Sequence, residues 1–141
     1  MADEIKKILV ALDGSKNSMK GLTSAISIAK PLGAEIKAAY VRPTPSLFGR
    51  MKPMYSEKMT KDEESFLGLA KKQAEENGVK FSVKITEFQK PGEYLVKLAH
   101  EQKFDLIVIG ARGLGSAKEF FLGSVSNYVV HKSKVQVLLV K

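Results

Sequence analysis

Short apolar segments alternate with segments of helical periodicity along the whole chain, and this alternation restricts the possible folds more than any other feature. The strand-like segments are residues 5–12, 34–41, 81–86, 104–109 and 135–140. Four segments with apolar residues at helical spacing separate them. Strands that alternate with helices form parallel, doubly wound α/β sheets with helices on both faces. The sequence therefore predicts one α/β domain, residues 1–141, with a five-stranded parallel sheet.

The predicted helices carry local start and stop signals. Ser15 is a suitable N-cap for the first helix, and Pro31 with Gly33 is expected to end it. Pro91 and Ser124 are expected to begin the third and fourth helices. The second helix is expected to bury one face made of Phe66, Leu69, Ala70 and Ala74.

A long segment without periodicity follows the second predicted strand. It runs from Arg42 to Thr60 and contains three prolines and one glycine. Loops of this length in compact domains usually have a function. We expect it to lie over or near the ligand-binding edge of the sheet.

Three residues with ligand-binding chemistry occur where predicted strands end. Asp13 follows the first strand, Val41 ends the second, and Gly110 follows the fourth. In an open α/β sheet, ligands bind beyond the carboxyl ends of the strands, where the strand order reverses. These three positions are therefore predicted to lie at one binding edge.

A glycine-rich pattern follows the fourth predicted strand. Gly110 and Gly113 are followed, after nine residues, by Gly123, Ser124 and Val125. Glycines allow backbone N–H groups to approach a ligand, and a helix that begins at Ser124 would add N-terminal donors suited to phosphate. On spacing alone, a tight strand-to-loop turn explains the glycines equally well.

The same pattern resembles the nucleotide-binding signature of the universal stress protein family. Residues 8–15 resemble the first strand and turn of that family, and residues 137–140 resemble its last strand. The resemblance implies a small α/β domain of strand order 3-2-1-4-5, usually dimeric, whose members with this signature bind ATP. It favours that order over a flavodoxin-like one, which spacing alone does not exclude.

The resemblance also implies which residues bind the nucleotide. Asp13 and the Val41 backbone are expected at the nucleoside end, with Mg²⁺ on ATP as a second candidate partner of Asp13. The complete implied site is Ala11, Leu12, Asp13, Val41, Gly110, Arg112, Gly113, Gly115, Gly123, Ser124 and Val125. Two alternatives stay open: Asp13 caps the following turn, and Arg112 faces solvent instead of phosphate.

The chain departs from the family pattern at two places. Many members have a histidine and a proline where this sequence has Lys132 and Gln136, and the usual Gly-x-Pro turn reads Gln89-Lys90-Pro91. These departures affect local loop geometry and leave the glycine signature intact.

Composition narrows the classes of function. The net charge is +8, from 23 basic and 15 acidic residues, but the basic residues are scattered. Scattered lysines favour a solvated surface over a nucleic-acid interface. There are no cysteines, no apolar run of membrane-spanning length and an acidic start unlike a signal peptide. The sequence predicts a cytoplasmic protein that does not bind membranes.

No recognisable catalytic motif is present. The P-loop, the dinucleotide fingerprint and a Ser-His-Asp arrangement are all missing, and no general base is evident near the predicted phosphates. We therefore expect a nucleotide-dependent stress-response or regulatory protein with an unknown protein partner, and a slow ATPase or nucleotidyl-processing enzyme is the alternative. The apolar last strand, Val135 to Val140, is expected to pair two copies into a homodimer.

Overall fold

The structure, a computed structural model, describes residues 4–43, 59–112 and 122–141. Within these ranges the strands are β1 (Lys7–Ala11), β2 (Glu35–Pro43), β3 (Phe81–Phe88), β4 (Leu106–Gly110) and β5 (Gln136–Val140). The helices are α1 (Lys16–Leu32), α2 (Lys61–Glu76), α3 (Pro91–Glu101) and α4 (Ser124–Lys132). All pairings are parallel, and the sheet order is β3-β2-β1-β4-β5. The predicted parallel sheet and its strand order are confirmed.

The sheet separates two hydrophobic cores, because successive side chains of a strand point to opposite faces. The even-numbered residues of β1 and β2 pack against α1 and α2 in the first core, which includes Ile8, Val10, Ile36, Ala38, Leu22, Ala25, Leu67 and Ala70. The second core lies on the other face with α3 and α4 and includes Leu9, Ala39, Ile107, Ile109, Leu95, Ala99 and Val129. Helices therefore cover both faces, as predicted.

Helix α1 begins and ends with side-chain and backbone caps. The Ser15 hydroxyl accepts a hydrogen bond from the Ser18 N–H at 3.1 Å, so the predicted N-cap is confirmed. Gly33 has a φ of 67°, and the Ala34 N–H donates to the Ala29 carbonyl, which is a Schellman ending. Pro31 lies inside the helix and does not end it, because the left-handed Gly33 supplies the stop.

Helix α2 buries most of the predicted face: Ala70 and Ala74 are buried, and the half-buried Phe66 packs against the first core. The buried residues are Glu63, Leu67, Ala70 and Ala74. Leu69 is 58% exposed, so its predicted inward position was wrong. At about 100° per residue, Leu69 is on the side of the helix away from Leu67. The unexpected member of the buried face is the charged Glu63.

Strand β2 extends two residues past its predicted end at Val41, so Arg42 and Pro43 belong to the sheet and not to the loop. Thr60, the last residue of the predicted loop, is the N-cap of α2. The predicted position of the loop over the ligand edge concerns residues 44–58, which lie outside the described residues.

The helices are 17, 16, 11 and 9 residues long. In the part of the chain that the structure describes, no helix is both long and apolar enough to cross a membrane.

Candidate nucleotide-binding edge

The carboxyl ends of β2, β1 and β4 form the edge at which the strand order reverses. The chain leaves β1 for β2 on one side, and β4 lies on the other side of β1. Asp13, Val41 and Gly110 come from the ends of these three neighbouring strands. The topology therefore brings the sequence-predicted residues to one crevice of the type that binds ligands in open α/β sheets.

The backbone of Val41 points toward this crevice. On the β1 side, the Glu35 N–H donates to the Lys6 carbonyl and the Ala39 carbonyl accepts from the Leu12 N–H. On the β3 side, the Ile36 N–H donates to the Lys80 carbonyl. The backbone N–H and C=O groups of odd-numbered residues in β2 therefore point toward β1. The pairing of β2 with β3 is continuous as far as Pro43.

The pairing of β1 with β2 ends at Ala11 and Ala39. The N–H and C=O of Val41 consequently point past the end of β1, where a ligand can form hydrogen bonds with them. Pro43 faces the same side, so its missing N–H does not interrupt the β2–β3 ladder.

Asp13 adopts the turn-capping role that the sequence left open. Its Oδ1 accepts a hydrogen bond from the Ser15 N–H at 2.9 Å, and its own N–H donates to the Ser18 hydroxyl at 3.3 Å. Between them, Gly14 has a φ of +86°, a conformation that favours glycine. Leu12, which precedes the turn, is buried, and Ala11 is half-buried against the second core. The carboxylate of Asp13 is thus held at the crevice by the turn that leads into α1.

Gly110 is explained by contact with the protein itself. A Cβ at this position would lie 2.9 Å from the backbone carbonyl carbon and oxygen of Asn17 in the first turn of α1. The Asn17 side chain also accepts a hydrogen bond from the Arg112 N–H at 2.9 Å. The close approach of α1 to the end of β4 therefore requires glycine here and orients the backbone at Arg112.

Helix α4 begins at Ser124, as predicted, and its start is tied to the end of β4. The N–H of Gly123, the N-cap residue, donates to the Ala111 carbonyl at 2.8 Å. The Ser126 hydroxyl donates to the same carbonyl at 2.7 Å. Because the first N–H groups of a helix have no intrahelical acceptor, the groups of Ser124 and Val125 suit an anion, whereas the N–H of Gly123 is already used.

Two predicted site residues, Gly113 and Gly115, lie outside the described residues. Within the described ranges, no group of three or more His, Cys, Asp or Glu side chains is arranged to hold a metal ion.

Sequence reasoning missed several polar residues at this edge. Asn17 and Ser126 look like ordinary helix residues in the sequence, and only the packing of α1 and α4 against β4 makes them structural links. A larger omission is a buried cluster at the end of β2, made of Tyr40, Arg42 and Glu63. The Thr-x-x-Glu spacing of Thr60 and Glu63 before an apolar helix was an available signal, since it is the pattern of a capping box.

The Glu63 carboxylate is the centre of this cluster. It accepts hydrogen bonds from the Tyr40 hydroxyl at 2.7 Å, from two nitrogens of Arg42 at 2.9 Å each, and from the Thr60 N–H at 2.9 Å. Hydrogen bonds from Arg42, and to a smaller extent from Tyr40 and the Thr60 N–H, lower the pKa of Glu63 to about 2 against the opposing effect of burial. Burial, aided by the neighbouring carboxylate, raises the pKa of Tyr40 to about 12. The cluster is therefore a stable ion pair at neutral pH.

The fold agrees with that of known proteins. The profile of the universal stress protein family matches residues 4–141. The chain belongs to the universal stress protein family. A universal stress protein of Methanocaldococcus jannaschii is 35% identical over 140 residues, which cover 96% of this chain and 82% of the relative.

Two solved structures support this family membership. The hypothetical protein MJ0577 has a TM-score of 0.76 at 27% identity, and the match covers 99% of this chain and 97% of that protein. A universal stress protein solved in complex with cAMP has a TM-score of 0.73 at 26% identity, and the match covers 99% of this chain and 98% of that protein. Members of this family thus share the described sheet, and one similar member binds a nucleotide.

Proposed function

We propose that this family member binds ATP at the carboxyl edge of β2, β1 and β4. The observation that carries the proposal is the orientation of Val41, whose backbone N–H and C=O point into the crevice past the end of β1. A backbone donor and acceptor on one residue match the donor and acceptor of the adenine edge. Asp13 lies beside them at the end of β1, suited to the ribose or to Mg²⁺ on ATP.

The phosphates are assigned to the β4 side of the crevice. The proposed donors are the N–H groups of Ser124 and Val125 at the start of α4. Arg112, Gly113 and Gly115 are the other proposed phosphate-binding residues, and Gly110 and Gly123 shape the turns. Support comes from the hydrogen bond between Gly123 and Ala111, which holds the positive end of α4 beside β4. The similarity to a family member that binds cAMP also supports an adenine nucleotide.

In this proposal the protein is a cytoplasmic regulatory module of a stress response. ATP acts as a slowly hydrolysed ligand, its presence changes the affinity for a protein partner, and two copies pair through β5.

Calorimetry with ATP and Mg²⁺, together with mass spectrometry of small molecules released from the purified protein, tests the proposal. We expect a co-purified adenine nucleotide or saturable ATP binding that is lost in Gly113→Val, where a branched side chain would obstruct phosphate. Gly68→Val is the matched control, because a Cβ at Gly68 meets no atom within 4 Å. Absence of ATP binding by the unmodified protein, or unchanged affinity in Gly113→Val, would refute the proposed site.

A further inference from the structure

A buried carboxylate joins the first turn of α2 to the end of β2. Glu63 is 8% exposed and receives four hydrogen bonds, three from side-chain groups of Tyr40 and Arg42 and one from the Thr60 backbone. The two bonds from Arg42 form a fork, a geometry that fixes direction as well as distance. Glu63 therefore holds two residues of one strand in defined positions.

Those two residues are the neighbours of Val41 on either side. Tyr40 and Arg42 are two apart in a strand, so their side chains leave the same face of the sheet, toward α2. Val41 lies between them with its backbone directed across the crevice. Among the described residues, the part of β2 beyond the end of β1 is paired with β3 alone, so a tether on its face restrains its position.

A second residue of α2 contacts the Asp13 side of the proposed nucleoside site. The Phe66 ring packs edge-on against Tyr40, with centroids 5.1 Å apart. A Cβ on Gly14 would lie 3.0 Å from the same ring, so Phe66 also abuts the turn that follows Asp13. One turn of α2 thus supports both the Val41 backbone and the Asp13 turn.

Stability alone is a weak reason for such a cluster, because well-packed apolar residues often replace a buried ion pair without loss. We propose that Glu63 is a positioning residue for nucleotide binding, which holds the Val41 backbone at the adenine edge through Tyr40 and Arg42. This inference rests on the proposed ATP site and adds to it a residue that does not touch the ligand.

The test compares Glu63→Gln with Glu64→Gln, the exposed carboxylate one position along α2. Calorimetry measures ATP affinity, and phosphorus NMR titration measures the affinity for inorganic tripolyphosphate, which has no adenine. In Glu63→Gln we expect ATP affinity to fall about tenfold, the equivalent of one well-formed hydrogen bond, and tripolyphosphate affinity to change by less than about twofold. Glu64→Gln should change neither.

The outcomes separate the two proposals. If the unmodified protein does not bind ATP, the proposed function fails. If it does bind ATP and Glu63→Gln binds it equally well, the positioning role fails while the ATP site stands. An equal loss of ATP and tripolyphosphate affinity would show a purely structural role and also overturn the inference. If circular dichroism shows that Glu63→Gln is unfolded, Arg42→Lys, which keeps the charge and loses the fork, must show the same ATP-selective loss.

Discussion

Gly110 lies against the backbone of Asn17 so closely that a Cβ would be 2.9 Å from its carbonyl carbon and oxygen. Backbone atoms at the start of α1 cannot move aside as a flexible side chain can. This contact brings the end of β4 to the N-terminus of α1 and gives the glycine a structural reason that does not involve a ligand.

Gly110→Ala is expected to destabilise the fold. The added methyl group must push α1 away from β4, an overpacking that costs about 2 kcal/mol. Gly68→Ala, on an open face of α2, is the control and should stabilise by roughly 0.5–1 kcal/mol through helix propensity. Urea denaturation of both variants measures the difference, and equal stabilities would contradict the packing argument.

Asn17→Asp should separate folding from nucleotide binding. Aspartate keeps an oxygen acceptor for the Arg112 N–H, and a negative charge in the first turn of α1 favours the helix by about 0.3–1 kcal/mol. The same charge should repel the triphosphate and lower ATP affinity about tenfold at low salt, with a smaller effect at high salt. Calorimetry at two salt concentrations measures this, with Asn77→Asp at the far end of α2 as control. Unchanged ATP affinity in Asn17→Asp would place the phosphates elsewhere.

The Glu63 cluster should make the stability of the protein sensitive to acid. The pKa of Glu63 is lowered from 4.5 to about 2 in the folded state, so its charged form contributes stability above pH 4.5. That contribution falls as the pH decreases from about 4.5 to about 2 and amounts to roughly 3 kcal/mol or less. Urea unfolding of the unmodified protein and of Glu63→Gln across this range measures it. Their difference in unfolding free energy should shrink toward low pH, and a constant difference would count against the ion pair.

Pairing through β5 predicts a homodimer that a charge in this strand disrupts. β5 is an edge of the sheet, and four of its five residues are half-buried apolar side chains: Val137, Leu138, Leu139 and Val140. Leu139→Glu would place two like charges across a two-fold axis and should give monomers, whereas Val130→Glu on α4 should leave dimers. Light scattering at micromolar concentration gives the masses, after circular dichroism has shown that both variants are folded. A monomeric unmodified protein would refute the pairing.

We expect ATP hydrolysis to be slow. A cradle of N–H groups stabilises the bound ground state and the transition state alike, which gives affinity without rate. Fast transfer would also require an oriented water and a group that stabilises the transferred phosphate. Turnover in the presence of Mg²⁺ should therefore stay below about 1 s⁻¹. Sustained faster turnover that Gly113→Val abolishes would identify an ATPase instead of a binding protein.

Local signals in the sequence were sufficient to predict the helices and strands and their succession along the chain. The Ser15 N-cap, the helix start at Ser124 and the alternation of strands and helices depend on neighbouring residues, so they are legible without tertiary contacts. Alternation predicts the parallel sheet, whereas its strand order needed the family resemblance, because spacing along the chain does not say which strands become neighbours.

Tertiary structure decided which residues support the candidate site. Leu69 faces solvent and Glu63 is buried, the reverse of what hydrophobicity predicts, because Tyr40 and Arg42 of β2 supply partners for the carboxylate. Asn17 meets Gly110 and Arg112 only because β1 and β4 become neighbours, although they are separated by nearly a hundred residues in sequence. Such contacts join groups that are distant along the chain, and a sequence pattern records only those that are near.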